Sequence, residues 1–231
     1  MKNHGFFLAI LVISGTLAVS CEKNNGSNKP GDIVNIELKS YQQQVVDSAN
    51  KFAFDIFKPI ISEVKGAEKI MISPFSITSA LSMTLNGAAG KTFEDMKSAL
   101  RYDGRTIEEI NETYLRLMNE MVPVDPLVVM EIANSVWVEK RLSVKNSFMT
   151  DLSTWYKAEA REFDVNDPGA VDMVNGWIED KTHDKIRDML DSMDPDLAML
   201  LINAIYFNGK WRNQFDKEDT RNMPFYVSSG A

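Results

Sequence analysis

Apolar residues recur along this chain first with a helical period and later with a strand period. Between Ile36 and Val64 the positions Ala49, Phe52, Ala53, Ile56 and Ile60 fall at helical spacing, which predicts a long amphipathic helix with one face for a core. A strand-like Ile70–Ile72 leads to Ser73 and Pro74. Serine is a good N-cap because its hydroxyl accepts from an orphan first-turn N–H, and proline fits the first helical turn. Gly87 and Gly90 are expected to stop this helix, and Thr92, with Asp95 three residues on, to cap the next. Thr106 and Glu109 form a capping box for a helix to Met121, whose apolar face is Ile107, Ile110, Tyr114, Leu117, Met118 and Met121.

The period then changes to two. From Leu127 to Val138, Val128, Met130, Ile132, Val136 and Val138 alternate with Glu131 and Ser135, predicting a strand with one better-buried face whose apolar row Asn134 interrupts. A short helix carrying Phe148, Leu152 and Trp155 follows, then an edge strand over Ala158–Phe163. Asp167 and Pro168 are expected to open a helix faced by Val171, Val174 and Ile178. The apolar run Leu200–Phe207 has the composition of a strand buried on both faces, and Gly209, Trp211 and Phe215 follow it closely.

Charge narrows the choice of partners. The 231 residues carry a formal net charge of -8, so the surface repels a phosphate backbone; with no basic patch in view, nucleic acid is not expected as a partner. A single cysteine rules out a disulfide within the chain and a zinc site of ordinary Cys/His spacing. Of the two histidines, His4 lies in the leader. His183 has no nucleophile motif beside it and reads as a solvated loop residue rather than a catalyst. Two carboxylate clusters, Glu108, Glu109 and Glu112, and Asp191, Asp194 and Asp196, hold enough groups for a two-carboxylate hydrolase. Both sit where solvated helix or loop faces are expected, so no enzyme, metal or cofactor is predicted.

The amino terminus reads as an address. Lys2, the apolar stretch Phe6–Ile13 and small residues before Cys21 follow secretory-leader grammar. Leu17-Ala18-Val19-Ser20-Cys21 resembles a relaxed bacterial lipobox, which makes Cys21 a lipidation site; the plainer alternative is an ordinary cleaved leader and a spare cysteine. Residues 22–32 have the polar, Asn/Gly/Lys/Pro-rich composition of a tether. The expected organisation is a signal peptide over 1–20, lipidated Cys21 and tether over 21–35, and a folded domain over 36–231, in a protein anchored in the bacterial envelope on its periplasmic side or outer surface.

Three ordered blocks resemble the serpin family of serine protease inhibitors. LLINAIYFNGKWRNQF, residues 200–215, resembles the family's NAIYFKGxWxxxF; SPFSITSALSMTLNGAAGKT, residues 73–92, its SPxSIxxALxMxxxGAxGxT; and VNGWIEDKTHDKIRDML, residues 174–190, its INxWVxxxTxGKIxxLL. ANSVWV and YKAEAREFDV are similar to two further family strands. The resemblance implies a mixed α/β serpin-like fold, with amino-terminal helices around a large, mainly antiparallel sheet. It implies that Ser73, Ser76 and Asn203 belong to the shutter that controls opening of that sheet, and that Asn175, Thr182 and Trp211 make contacts between the covering helix and the sheet top. Lys69 stands where the family usually has Asn, and Asp184 where it has Gly. The helix corresponding to the heparin-binding one in regulated serpins carries Glu108, Glu109, Glu112 and Glu120 against Arg116, so no heparin-like polyanion site is expected.

By resemblance the partner is a serine or cysteine protease, trapped when a cleaved reactive loop inserts into the main sheet. That loop, strands 5 and 6 and the shutter's usual His are not in this sequence. The chain is expected to be the front portion of such a domain, unable to inhibit alone, and its last strand to form a long apolar edge prone to unwanted pairing. The alternative function is a non-inhibitory envelope lipoprotein of the same fold, acting as a binding or structural module.

Overall fold

The structure, a computed structural model, describes residues 35–64, 70–123, 125, 127–211 and 213–224. The leader, Cys21, the tether and Lys69 lie outside the described residues.

Helix α1, Ser40–Glu63, buries Gln42, Val45 and Ala53 along one stripe. Helix α2, Pro74–Gly87, starts as its sequence predicts: the Ser73 hydroxyl accepts from the Ser76 N–H at 3.3 Å, with Pro74 in the first turn. Gly87 ends α2 where side-chain space runs out, because a Cβ there would sit 3.0 Å from the Phe148 ring. Helix α3, Gly90–Ala99, corrects the expected boundary: its N-cap is Ala89, so Thr92 lies inside the first turn. Gly90 takes φ +57°, a conformation open to glycine at little cost, which lets the helix begin three residues early. Helix α4, Ile107–Met121, has the predicted reciprocal cap, with Glu109 N–H donating to Thr106 Oγ1 at 3.2 Å and Thr106 N–H to Glu109 Oε2 at 3.1 Å.

Strand β1, Val128–Glu139, is central in a three-stranded sheet of order β2-β1-β3. Helix α5, Asn146–Tyr156, crosses over to β2, Glu159–Phe163, which runs parallel to β1. Helix α6, Ala170–Lys181, then leads to β3, Met199–Gly209, antiparallel to β1 from Val128↔Gly209 to Val138↔Met199. The described sheet is therefore mixed. The N-cap of α6 is Gly169 rather than Asp167, whose carboxylate accepts from the Gly169 N–H at 2.8 Å and is thereby used in the preceding turn.

Alternation sorts the sheet's side chains into two cores. Val136 and Val138 of β1 pack with Met199 and Leu201 against residues of α1, α2, α4 and α5, among them Val45, Met83, Ile110 and Leu152. The opposite face holds Trp137 and Ala204 against Val174, Trp177 and Ile178 of α6. The better-buried-face reading of β1 is thus corrected: its last six residues, Asn134–Glu139, are all buried, with α6 packed over Trp137 on the second face and Arg141 bonded to Glu139. β3 also differs from the strand buried on both faces. Only Ala204 is buried, and Phe207 is 65% exposed, because among the described residues β3 is an edge.

Candidate functional site: the polar centre of the sheet

Asn134 and Asn203 face each other across the β1–β3 ladder. Asn203 Nδ2 donates to Asn134 Oδ1 at 2.8 Å, and Asn134 Nδ2 donates to the Tyr156 carbonyl at 2.7 Å. Asn134 is 2% exposed, so these bonds replace water that cannot reach it. Asn203 Oδ1 is also buried and has no donor among the described residues.

The chain of contacts continues into the helices. Tyr156 Oη donates to Asn111 Oδ1 at 2.8 Å, and Asn111 and Asn86 exchange amide hydrogen bonds at 2.8 and 3.0 Å. Polar bonds thus run from β3 through β1, α5 and α4 to α2. Beside them the Tyr102 and Tyr114 hydroxyls lie 2.8 Å apart. Burial pushes the phenols of Tyr102, Tyr114 and Tyr156 upward, those of Tyr102 and Tyr156 well above the ordinary value, so all three stay neutral donors. Sequence reading singled out Asn134 because it broke an apolar row. Asn86, Asn111 and Tyr156 carried no such signal: two occupy ordinary polar positions on helices, and Tyr156 offers a carbonyl any residue would supply and a hydroxyl whose bond to Asn111 depends on how α5 packs on α4.

The predicted shutter residues are only partly brought together. Ser73 and Ser76 make the α2 cap, and Asn203 lies on β3, against which α2 packs. Among the described residues no hydrogen bond links either serine to Asn203. Asn175 clamps the segment after α6, donating to the Leu190 carbonyl at 2.8 Å and accepting from its N–H at 2.9 Å. Thr182, 1% exposed, donates to the Ile178 carbonyl at 2.8 Å and accepts from the Ile186 N–H at 3.1 Å. Trp211 is 71% exposed, edge-on to Phe215 at 5.7 Å.

The two carboxylate clusters are dispersed in structural bonds. Glu109 caps α4, Glu112 accepts from the Tyr41 hydroxyl, and Asp194 accepts from the Asp196 N–H at 2.8 Å, while Glu108 and Asp191 are exposed. His183 is half exposed rather than free in solvent: its Nε2 lies 3.1 Å from Glu131 Oε2, and its ring lies 4.1 Å from that of Tyr206. Asp184, where the family has Gly, adopts the left-handed conformation at φ +59°, which Asp tolerates better than most residues.

Glu159 ties β2 to α6. Arg161 donates to its Oε2 at 2.9 Å and Trp177 Nε1 at 3.0 Å, and Lys181 lies 2.9 Å from Oε1. The Arg161 hydrogen bond, with help from Lys181 and Trp177 against partial burial, lowers its carboxyl to about 2. Because the folded value lies below that of the unfolded chain, the stabilisation is present above the ordinary carboxylate range near pH 4.3 and is lost as pH falls from there toward about 2. Glu159→Gln is expected to cost under about 1 kcal/mol near neutrality, since water screens these half-exposed pairs. The difference from wild type should vanish toward pH 2 in urea titrations; a difference independent of pH would refute the assignment.

Against this geometry the likeness to known proteins is specific. The family model "Serpin (serine protease inhibitor)" matches residues 47–231. The chain belongs to the serpin family. It is 31% identical over 198 residues to an uncharacterized serpin-like protein of Thermococcus kodakarensis, covering 84% of this chain and 46% of that one. It is 32% identical over 173 residues to Serine protease inhibitor 42Dd of Drosophila melanogaster, covering 74% and 46%. Among solved structures it resembles reaction-loop-cleaved lamprey angiotensinogen, with TM-score 0.71 and 28% identity, covering 82% of this chain and 55% of that one. The chain spans about half the length of the curated relatives it matches.

Proposed function

We propose that this chain is the sheet-opening half of an envelope-anchored protease inhibitor that works by taking up a cleaved loop as a new strand beside β3. The observation that carries the reading is the polar pair at the middle of that strand. Among the described residues Asn203 Oδ1 is a buried acceptor without a donor, on a strand whose outer edge has no partner. An N–H from a neighbouring strand, of the kind the family's shutter His supplies, would satisfy it. Ser73 and Ser76 at the head of α2 and Asn203 on β3 then form the shutter, and breaking Asn203 contacts is part of opening the sheet.

Cys21 carries the lipid that holds the domain to the envelope, and the partner is a serine or cysteine protease arriving in solution. The acidic face of α4, with Glu108 and Glu112 exposed, offers a sulfated polyanion no attraction. The reading concerns a protein of the relatives' length. Its test is the product isolated from the natural host, incubated with a panel of serine and cysteine proteases. Inhibition predicts a covalent complex that survives boiling in detergent, together with a smaller cleaved inhibitor fragment. Cleavage by every protease without such a complex would remove the inhibitory reading and leave a non-inhibitory serpin-fold lipoprotein.

A further inference from the structure

A cavity of about 620 Å³ lies between the end of α2, the start of α3, the loop from β1 into α5, and the start of β3. Cavities that hold small molecules run from about 300 to 1,000 Å³. The walls are largely apolar. Met96 of α3, Val144 of the loop, Phe148 of α5, and Met199 and Leu201 of β3 line it, and all five belong to or pack against the core on the helix side of the sheet.

Two charges of opposite sign complete the lining. Lys145 is exposed at the N-cap of α5, and Asp151 is half-buried in the second turn of the same helix. Among the described residues neither has an ion pair or a side-chain hydrogen bond, and no side chain caps the start of α5 beside Lys145. The first-turn N–H groups there add partial positive charge to the ammonium. A fatty acid would leave Asp151 unmatched in this cavity, and an alkyl amine would leave Lys145 unmatched. A molecule with a carboxylate at one end, an ammonium at the other and an apolar body between them matches both. Asp151 follows Lys145 by six residues, a rise of about 9 Å along a helix. Three extended peptide residues reach about 10 Å.

We propose that this cavity binds a free apolar peptide of about three residues. Its carboxylate sits at Lys145 and the start of α5, its ammonium at Asp151, and its side chains among Met96, Phe148 and Leu201. Binding here does not depend on protease inhibition and stands whether or not the sheet admits a strand.

The test is calorimetric titration of the protein, at the length its natural host makes, with trileucine, N-acetyl-trileucine and trileucine amide. Trileucine is expected to bind best, and each singly charged peptide about five-fold more weakly, the size of one exposed charge pair. Lys145→Gln should weaken trileucine by about the same factor and bind the amide as wild type does. Asp151→Asn should also weaken trileucine, and bind the acetylated peptide as wild type does. Ser147→Trp, at an exposed position in the lining, should abolish binding of all three. Equal affinity for the three peptides would overturn the proposal, as would binding unchanged in Ser147→Trp. Absence of binding to wild type would overturn it too, and would leave the rest of a longer chain as the occupant of the cavity.

Discussion

Trp137→Ala is expected to lower the stability of the folded chain by about 4 kcal/mol, in the range for truncating a fully buried aromatic. Trp137 is completely buried between β1 and α6, with its ring 6.5 Å from that of Trp177 in an edge arrangement. The Arg161 guanidinium lies 5.3 Å from its ring centroid, and its Nε1 donates to Ser135 Oγ at 2.9 Å. Few atoms are free to collapse into the space it would leave, since Val174 and Phe163, which share its cluster, are also buried. Domains are stable by only about 5 to 15 kcal/mol, so the variant should unfold at a much lower urea midpoint. Its α6–β3 connection should be nicked by trypsin at Lys185 and Arg187 before the rest of the chain. A loss below about 1 kcal/mol would mean that α6 is held on the sheet by something other than this ring.

Asn134→Ala carries the second-largest expected loss, about 3 kcal/mol, for a different reason. It removes little volume but strands the Tyr156 carbonyl and the Asn203 amide inside the protein, each then bearing a desolvation cost with no compensating bond. The signature is non-additivity. If Asn134 and Asn203 act as one unit, the double Asn134→Ala/Asn203→Ala variant should lose about 1 to 2 kcal/mol less than the sum of the singles. Additive losses in urea denaturation would show that the pair is two separate polar residues that happen to touch.

What the sequence revealed follows from how local each signal is. The starts of α2 and α4 were legible because Ser73 with Pro74, and Thr106 with Glu109, satisfy orphan N–H groups within their own first turns. The start of α3 was misplaced because Gly90 enters the helix from a left-handed conformation, leaving Thr92 no orphan group to cap. Asp167 looked like a cap for α6 but spends its carboxylate on Gly169. Alternation placed the apolar row of β1, yet could not show that Ser135 and Trp137 would be covered by α6, since that depends on a helix some forty residues later. The site divides in the same way. Asn134 was visible as a polar interruption and Asn203 through the serpin resemblance, whereas the meeting of Glu131, His183 and Tyr206 requires the β1–β3 register and the path of the chain after α6, neither of which is written in any local pattern.

The outer edge of β3, bare among the described residues, has a consequence in time. From Met199 to Gly209 the strand has no charged residue and no proline to discourage a stranger. In a protein of the relatives' length, roughly as many residues again must be translated after this strand has emerged. At about 5 to 20 residues per second that leaves the strand waiting for on the order of 10 to 40 seconds. If the chain is exported as proposed, a holdase that keeps it unfolded until export is complete would spare it that interval.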